Sequence, residues 1–388
     1  MSDALPAHSP LGASSAERWM NCPGSVELLK GLTLPESDEP DYRAQGTAAH
    51  AVAAACLSMD QDAWEWVGLA APNGVVCDAG MADAVQVMLN VCRPIIAAST
   101  EHRIEEKMHR PDLHPLYFGT ADLAAYNAAD QVLDIVDYKH GIGISVDVEH
   151  NPQLRYYGRG LLDAFSSVRR VRYTIVQPRG FHPDGTVRTW EESAESLCLW
   201  ADTDLLPKMR NLELDGRLDA GPWCRFCPAK LVCPMLTGLF GAAAKADPRE
   251  IVNMGADALG RQAQQIEGVM FYIKALKDEV ERCLNIGNRI PGWKLVAKRA
   301  DRVYKDGAEV VLKAQLGEEA YTKPELKSPA QIDKLGLAAK KLTTEWAYVP
   351  LSGTTIAPET DRRPAITVRT SAETFGPAIA NLEKPDAP

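Results

Sequence analysis

Two acids and a lysine occupy a stretch of the sequence that has the pattern of a β-hairpin. Asp122 follows Gly-Thr-Ala in the first apolar run, and Asp137 and Lys139 stand two apart at the end of the second. Residues two apart in a strand share a face, and strand pairing would bring Asp122 beside Asp137. Adjacent carboxylates repel unless a cation joins them, and oxygen ligands favour Mg²⁺ or Mn²⁺. The spacing predicts a divalent-metal site suited to phosphodiester hydrolysis, in which Lys139 orients or activates the attacking water.

Three further side chains could complete such a site. Gln153 and Tyr157 stand four apart, on one face of a predicted helix, where they could hold substrate or orient Lys139. His50 lies in an alanine-rich helical run and could add an imidazole ligand. The alternative is structural: an isolated Asp-x-Lys triplet commonly ends a strand at a solvated edge, and a histidine inside a helix is commonly a packing residue.

The elements that must position these residues follow from hydrophobic periodicity and turn residues. Helices are predicted over 44–59, 79–98 and 152–165, and strands over 104–108, 117–126, 131–138 and 171–176. The connection 127–130 has hairpin length and turn-forming residues. This order predicts an α/β fold, with a mixed sheet flanked by helices.

The rest of the chain predicts a second, smaller domain. A helical stretch over 191–212 leads to a cysteine segment at 221–234, and a long amphipathic helix covers 247–284. We expect a first domain over 1–240, an α+β domain of unknown role over 247–376 and a frayed tail over 377–388.

Composition limits the function classes. The net charge of -10 argues against a uniformly basic surface, so any nucleic-acid contact must be local. Nine cysteines, with no basic-then-apolar leader and no apolar run long enough to span a bilayer, predict reduced thiols in a cytoplasmic protein.

The candidate residues fall within four motifs whose order resembles that of RecB-like PD-(D/E)XK nucleases. These are the Gly-Thr-Ala-Ala-His run ending at His50, the Gly-Thr-Ala-Asp run ending at Asp122, Asp137-Tyr138-Lys139, and Gln153-x-x-x-Tyr157. The resemblance implies that His50, Asp122, Asp137 and the Tyr138 backbone carbonyl bind the metal and that Lys139 is catalytic. The sequence departs from the family pattern because no proline precedes Asp122 and because Asp137 replaces a common glutamate. Glu105 or Glu106 is a weaker candidate for a further acid.

Four cysteines predict a second cofactor. Cys224, Cys227 and Cys233 are closely spaced, and Cys22, like Cys227 and Cys233, precedes a proline. A zinc ribbon usually has two short-spaced pairs, so an iron-sulfur cluster is favoured and zinc is the alternative. The AddB-type nuclease domain and a CRISPR-associated adaptation nuclease, which this pattern resembles, also place one cysteine before the nuclease motifs and three after, around a [4Fe-4S] cluster. Among the others, Cys56, Cys92 and Cys198 are expected in the core, and Cys77 and Cys283 are unassigned.

Two groups of basic residues have open interpretations. One follows the second strand of the hairpin and would be useful for phosphate binding, or is a solvated face: Arg155, Arg159, Arg169, Arg170, Arg172 and Arg179. The other group surrounds Trp293 and Tyr304 and could contact single-stranded DNA, or it could be solvated surface. Its members are Lys294, Lys298, Arg299, Arg302, Lys305, Lys340, Lys341, Arg362 and Arg363.

These patterns together predict a metal-dependent DNA nuclease, acting as an exonuclease. No nucleotide-binding Gly-rich motif is present, so the chain has no recognisable motor. A zinc deaminase is disfavoured because this sequence lacks the His-x-Glu motif of that class of enzyme. The whole-chain pattern, which includes Pro291-Gly292-Trp293-Lys294 and Asp361-Arg362-Arg363-Pro364, also resembles a phage- and prophage-associated family of formerly unknown function. This implies recombination, repair or genome processing, with DNA and a phage single-strand annealing or recombination protein as partners. The alternative is a catalytically silent DNA-binding or assembly module. Exonuclease versus endonuclease action, cleavage polarity, strand preference and oligomeric state stay open.

Overall fold

The computed structural model describes residues 9–30, 32, 41–142, 144–212, 214–245, 253–285 and 287–294. The chain divides into two units, Met1–Trp293 and Lys294–Pro388. Apart from Lys294, the second unit lies outside the described residues, as do the predicted tail over 377–388 and the basic residues around Tyr304. The predicted domain boundary near residue 240 stays a prediction.

A five-stranded mixed sheet organises the first unit. Its strands lie in chain order and are antiparallel except for the parallel pair β3 and β4. This confirms the predicted α/β class and the hairpin of β2 and β3. The strands are β1 Glu101–His109, β2 Phe118–Asn127, β3 Val132–Tyr138, β4 Arg170–Val176 and β5 Val187–Ser193.

Ten helices accompany the sheet in the described part of the chain. Short 3-10 or π turns extend several of them, including Leu162–Ala164 after the fifth helix. The helices are α1 Ala16–Asn21, α2 Gly24–Lys30, α3 Asp41–Met59, α4 Ala79–Ala98, α5 Pro152–Leu161, α6 Ala194–Trp200, α7 Leu206–Asn211, α8 Pro234–Lys245, α9 Ala256–Gln264 and α10 Ile266–Asn285.

Helices cover both faces of the sheet, so the core has two layers. On one face, α3 and α4 bury Val85 and Leu89 against Val136. On the other face, α5 buries Leu154 and Tyr156 beside Ile135. Strand β3 is buried on both sides along its whole length, which explains its nearly continuous apolar sequence. A charged side chain on β3 is therefore buried unless it lies at the end of the strand.

Helix α5 is the crossover between the parallel strands β3 and β4. Its start is set by Pro152 at the first position and by Asn151, whose Oδ1 accepts from the backbone N–H groups of Gln153 at 3.0 Å and Leu154 at 3.2 Å. This cap fixes where the helix begins relative to β3. It therefore fixes the position of Gln153.

Two predicted helical stretches differ from the structure. The stretch 191–212 begins as the end of β5, and α6 starts only at Ala194, where the Ser193 hydroxyl accepts from the Ser196 N–H at 3.0 Å. The stretch 247–284 contains two helices, α9 and α10, and part of it lies outside the described residues. The first error arose because β5 is stabilised by pairing with β4, a contact that local periodicity does not report.

Helix α4 is the only described helix with the length and apolar composition to cross a membrane. Its apolar side packs on α3 and the sheet and includes Met81, Met88 and Cys92. Core helices of this kind meet the same criteria, so the evidence for a membrane segment is weak.

A buried ion pair ties α5 to β5. Arg155 donates through Nε and Nη2 to the two carboxylate oxygens of Glu192, each at 2.9 Å, and both residues are buried. Tyr173 and Ser196 donate to the same carboxylate at 3.1 and 3.0 Å, and the Trp200 ring lies 4.3 Å from the guanidinium. Arg155 is thus a structural residue and is not available to bind phosphate.

Three more of the six arginines in this group are paired with acids. Arg159 contacts Asp163 at 3.0 Å, and Arg170 and Arg172 contact Glu191 at 2.8 and 3.2 Å. For these arginines the structural or surface interpretation is favoured over phosphate binding.

Replacing Glu192 with alanine should lower the free energy of unfolding by about 3–5 kcal/mol, because it leaves the Arg155 charge buried without its partner. Exposed Glu195 on α6 is the control, and Glu195→Ala should cost less than about 1 kcal/mol. Urea unfolding followed by circular dichroism measures both changes. Equal losses for the two variants would contradict the buried ion pair.

Candidate active site

Three acids from three strands form a row across the sheet. The β1–β2 register places Glu105 opposite Asp122, and the β2–β3 pairing ends at Leu123 and Val136, one step before Asp122 and Asp137. The sheet therefore brings together Asp122 and Asp137, as the hairpin pattern predicted. It also adds Glu105 from the neighbouring strand.

Asp122 stabilises the point where β2 and β3 separate. Its Oδ2 accepts from the backbone N–H of Tyr138 at 2.7 Å, and its Oδ1 lies 3.2 Å from His50 Nδ1. The carboxylate thus accepts the hydrogen bond that a backbone carbonyl would accept if the pairing of β2 with β3 continued. Burial alone would raise the pKa of Asp122, but the charge and hydrogen bond of His50 and the Tyr138 N–H lower it.

His50 reaches this carboxylate from α3, and the centroid of its ring lies 5.4 Å from that of the Tyr138 ring in an edge-on arrangement. Burial alone would lower the pKa of His50, but the adjacent Asp122 carboxylate, with Asp137, raises it to about 9. The structure thus places His50 beside Asp122. Its role as a metal ligand stays a prediction.

Asp137 is almost completely buried, with 3% of its surface exposed. Gln153 Nε2 donates to its Oδ1 at 2.9 Å, and Lys139 Nζ lies 2.8 Å from its Oδ2. The Lys139 ammonium is therefore the charged partner of this buried oxygen, and Gln153 is the hydrogen-bond donor to the other oxygen. Burial raises the pKa of Asp137, as does the Asp122 charge, while Lys139 opposes the rise.

Gln153 connects the lysine to the acid. Its Oε1 accepts from Lys139 Nζ at 2.8 Å, while its Nε2 also lies 3.3 Å from the Tyr157 hydroxyl. Burial, followed by the Asp137 charge, raises the pKa of Tyr157, so its hydroxyl stays protonated. The amide therefore fixes the direction of the Lys139 ammonium, and the face shared by Gln153 and Tyr157 points at the site.

The donor atoms fit a hard divalent cation. One ligand atom each from His50, Glu105 and Asp122 lie within 4.8 Å of one another. Two carboxylates and an imidazole are ligands that Mn²⁺ and Mg²⁺ sites use, and the Asp137 carboxylate lies in the same group of charges. The compact set differs from the predicted one by including Glu105 and not Asp137. The Tyr138 carbonyl as a ligand stays a prediction.

The structure separates the two glutamates that the sequence left as alternatives. Glu105 joins the compact set and has a left-handed backbone, with φ of 50°, whereas Glu106 accepts from Arg103 at 3.1 Å. A non-glycine residue in this conformation costs free energy and is often found at functional sites. No local sequence signal marks it.

A buried histidine network next to the site was also absent from the predictions. Arg179 contacts His140 Nε2, and the Tyr138 hydroxyl lies 2.8 Å from His140 Nδ1. Because arginine only donates, Nε2 accepts and Nδ1 carries the hydrogen that is donated to Tyr138. Burial, together with the Arg179 charge, lowers the pKa of His140 to about 4, in agreement with a neutral ring.

The four predicted cluster cysteines are all buried and reduced. Cys22 lies between α1 and α2, and its Sγ accepts from the Asp219 N–H at 3.3 Å. Gly24 donates its N–H to the Arg217 carbonyl at 2.8 Å, and a Cβ at Gly24 would lie 2.3 Å from a backbone oxygen. This close approach docks the N-terminal helices onto the segment that leads to Cys224.

The four thiols share one electrostatic environment. Burial raises the pKa of Cys224 to about 11, and the neighbouring thiols of Cys227, Cys22 and Cys233 contribute to the rise. The four cysteines therefore lie in one region of the fold, and the choice between an iron-sulfur cluster and zinc stays a prediction.

The remaining cysteines have structural positions. Cys56 and Cys92 lie in the core beneath α3 and α4, as predicted, and Cys77 joins them there. Cys198 packs against the opposite core, and Cys283 is half-buried on α10. None of these five belongs to the cluster of four.

In protein freed of metal by chelation, His50 should titrate near pH 9. Because this pKa lies above that of an unfolded histidine, about 6.5, the interaction stabilises the fold fully below pH 6.5 and is lost as the pH rises through 9. Asp122→Asn should lower the pKa of His50, since burial then dominates. Titration of ¹⁵N-labelled histidine followed by NMR measures both values, and a wild-type value near 6.5 would contradict the His50–Asp122 interaction.

A comparison with known protein families covers the residues of both the acidic site and the cysteine group. The sequence model of the family described as "Protein of unknown function (DUF2800)" matches residues 8–364. The matched region includes the three acids, His50, Lys139 and all four cluster cysteines. Because the match covers most of the chain, this protein belongs to the DUF2800 family.

Proposed function

We propose that this protein is a metal-dependent DNA nuclease of the RecB-like PD-(D/E)XK type, acting as an exonuclease. The observation that carries the proposal is the position of Lys139 Nζ, 2.8 Å from both Asp137 Oδ2 and Gln153 Oε1. An ammonium held between a buried carboxylate and an amide, beside a second acid and an imidazole, is suited to phosphodiester hydrolysis. The mixed sheet flanked by helices supports the same assignment.

The metal ligands would be His50, Asp122 and Asp137, with Glu105 as a further acid and the Tyr138 carbonyl as a backbone ligand. Bound Mg²⁺ or Mn²⁺ would supply a Lewis acid for a phosphate oxygen and would lower the pKa of a bound water. The pKa of Asp137 is raised by burial, then by the adjacent Asp122 charge. A cation at this position would therefore be balanced by nearby negative charge.

The other side chains would position the reacting groups. Lys139 has three N–H donors, and its contact with Gln153 leaves others to face a phosphate oxygen or the attacking water. Gln153 restrains Lys139 and Asp137 together, and Tyr157, kept neutral by burial, restrains Gln153. This chain of contacts would hold the lysine in one direction before substrate arrives.

Substrate binding to this acidic chain must rely on a small number of unpaired cations. Four of the six arginines beside the sheet are paired with carboxylates, which leaves Arg169 and Arg179 as the basic residues of that group for DNA phosphates. We expect few phosphate contacts on this unit, and hence a shallow dependence of DNA affinity on salt.

The four cysteines would hold a [4Fe-4S] cluster with a structural role. A cluster that joins Cys22 to Cys224 closes a loop of about 200 residues, which restricts the unfolded chain and stabilises the nuclease unit. Half-buried Arg18, whose charge lies near Cys227 and Cys22, would offset the negative charge of such a cluster. Zinc is the alternative, and the spacing of the cysteines in the sequence disfavours it.

The resemblance to phage-associated proteins suggests the setting. DNA recombination, repair or genome processing in the cytoplasm of a bacterial host would supply the substrate, and a single-strand annealing or recombination protein would be a natural partner. A catalytically silent DNA-binding or assembly module would keep the same fold and cluster. It would need neither the alignment of Lys139 nor its contact with Gln153.

Linear DNA should be degraded in the presence of Mg²⁺ or Mn²⁺, and Asp137→Ala and Lys139→Ala should each slow the reaction more than about 100-fold, because both act on the developing charge. Matched controls are exposed Asp83→Ala and Lys107→Ala, which should leave the rate unchanged. Release of nucleotides from end-labelled linear DNA, compared with circular DNA, measures activity and separates exonuclease from endonuclease. Wild-type protein that binds DNA but cleaves no form of it would favour the silent module.

Protein purified without oxygen should be brown and contain about four irons per chain. Cys22→Ser and Cys233→Ser should lose the colour and the iron, whereas Cys198→Ser, outside the cluster, should keep both. Metal analysis measures the iron and zinc content, and visible absorption measures the colour. Colourless wild-type protein with one zinc per chain would contradict the iron-sulfur assignment.

A further inference from the structure

Two loops leave the sheet side by side at the edge that carries Lys139. Strands β3 and β4 run parallel, with Tyr138 paired to Val176, and the Lys139 N–H donates to the Val176 carbonyl at 2.9 Å. The chain after β3 and the chain after β4 therefore begin next to each other. Both loops border the candidate active site.

Buried polar side chains join the two loops. Gln177 donates to the Ile144 carbonyl at 2.6 Å and accepts from the Val146 N–H at 3.1 Å. Arg188 donates to Gln177 Oε1 at 2.8 Å and to the Val146 carbonyl at 2.9 Å. Gln177 is 2% exposed and Arg188 is 4% exposed. The loops are consequently held together before any partner binds.

These supported loops present apolar side chains to solvent. Phe181 is 87% exposed, Ile142 is 67% exposed and Ile144 is 36% exposed. We name these three residues the apolar rim. A single exposed apolar residue is ordinary, but an aromatic and two isoleucines on joined loops beside a candidate active site indicate a contact surface.

A cation accompanies the apolar rim. Arg179, two residues before Phe181, contacts neutral His140, which in turn contacts the Tyr138 hydroxyl. No carboxylate pairs with Arg179 within the residues that the structure describes. Its side chain is therefore held by His140, and none of the described carboxylates neutralises its charge.

We propose that the apolar rim receives an unpaired nucleobase of the DNA strand, with Phe181 stacking on the base and Arg179 facing a backbone phosphate. An exposed aromatic ring beside a fixed cation is the combination that binds single-stranded nucleic acid without regard to sequence. The loop that carries Phe181 leaves the sheet beside Lys139, so a strand bound to it would run toward the candidate active site. The identification of this strand as substrate rests on the proposed nuclease function, but the binding does not.

The test uses the full chain and a fluorescently labelled DNA hairpin, either blunt or with a single-stranded end, in Ca²⁺. Phe181→Ala should raise the Kd for the DNA with the unpaired end about five- to tenfold. The same substitution should change the Kd for the blunt DNA less than about twofold. Phe181→Tyr, which keeps the ring, should bind like wild type. Leu214→Ala removes a side chain that is 86% exposed elsewhere and is the matched control.

Several outcomes would overturn this proposal. The first is that wild type and Phe181→Ala bind the DNA with the unpaired end equally well. The second is that Phe181→Ala loses the same affinity for both DNAs, and the third is that wild type binds neither DNA. A change in sedimentation of Phe181→Ala without a change in DNA affinity would instead make the rim a contact between copies of the chain. If wild type binds as expected but cleaves nothing in Mn²⁺, the nuclease proposal fails while the stacking proposal stands.

Discussion

The burial of the Asp137 carboxylate is the constraint on which the rest of the site depends. Strand β3 is covered on both faces, so a carboxylate near its end is removed from water and needs compensating partners. Lys139 supplies the opposite charge at Oδ2, and Gln153 supplies a hydrogen bond at Oδ1. Asp122 lies beside Asp137 and Glu105 lies beside Asp122, so the three acids form a local excess of negative charge that the proposed divalent cation would relieve.

The cysteine segment and the candidate active site are connected through packing. Helix α1, which precedes Cys22, packs Trp19 into the same core as Leu154 and Tyr156 of α5, the helix that carries Gln153. A cluster that ties α1 to Cys224 would therefore restrain α5 and, through Gln153, the direction of Lys139. On this view the cluster and the nuclease chemistry are linked by rigidity, and no electron transfer is needed.

The sequence predicted those parts that depend on local periodicity. The hairpin of β2 and β3, the shared face of Asp137 and Lys139, and the helix that presents Gln153 all follow from spacings of two or four residues. The left-handed Glu105, the strand β5 and the contact of His140 with Arg179 do not. Each depends on strand pairing or on a partner distant in the chain, and His140 and Arg179 are 39 residues apart.

The most direct test of the account is the position of a bound metal. Crystals soaked in Mn²⁺ and measured at the manganese absorption edge should give an anomalous peak between His50, Glu105 and Asp122, within reach of Asp137. Asp122→Asn crystals should lose the peak. The absence of a peak at this position in wild-type crystals, or a peak elsewhere only, would contradict a metal-dependent active site on this sheet.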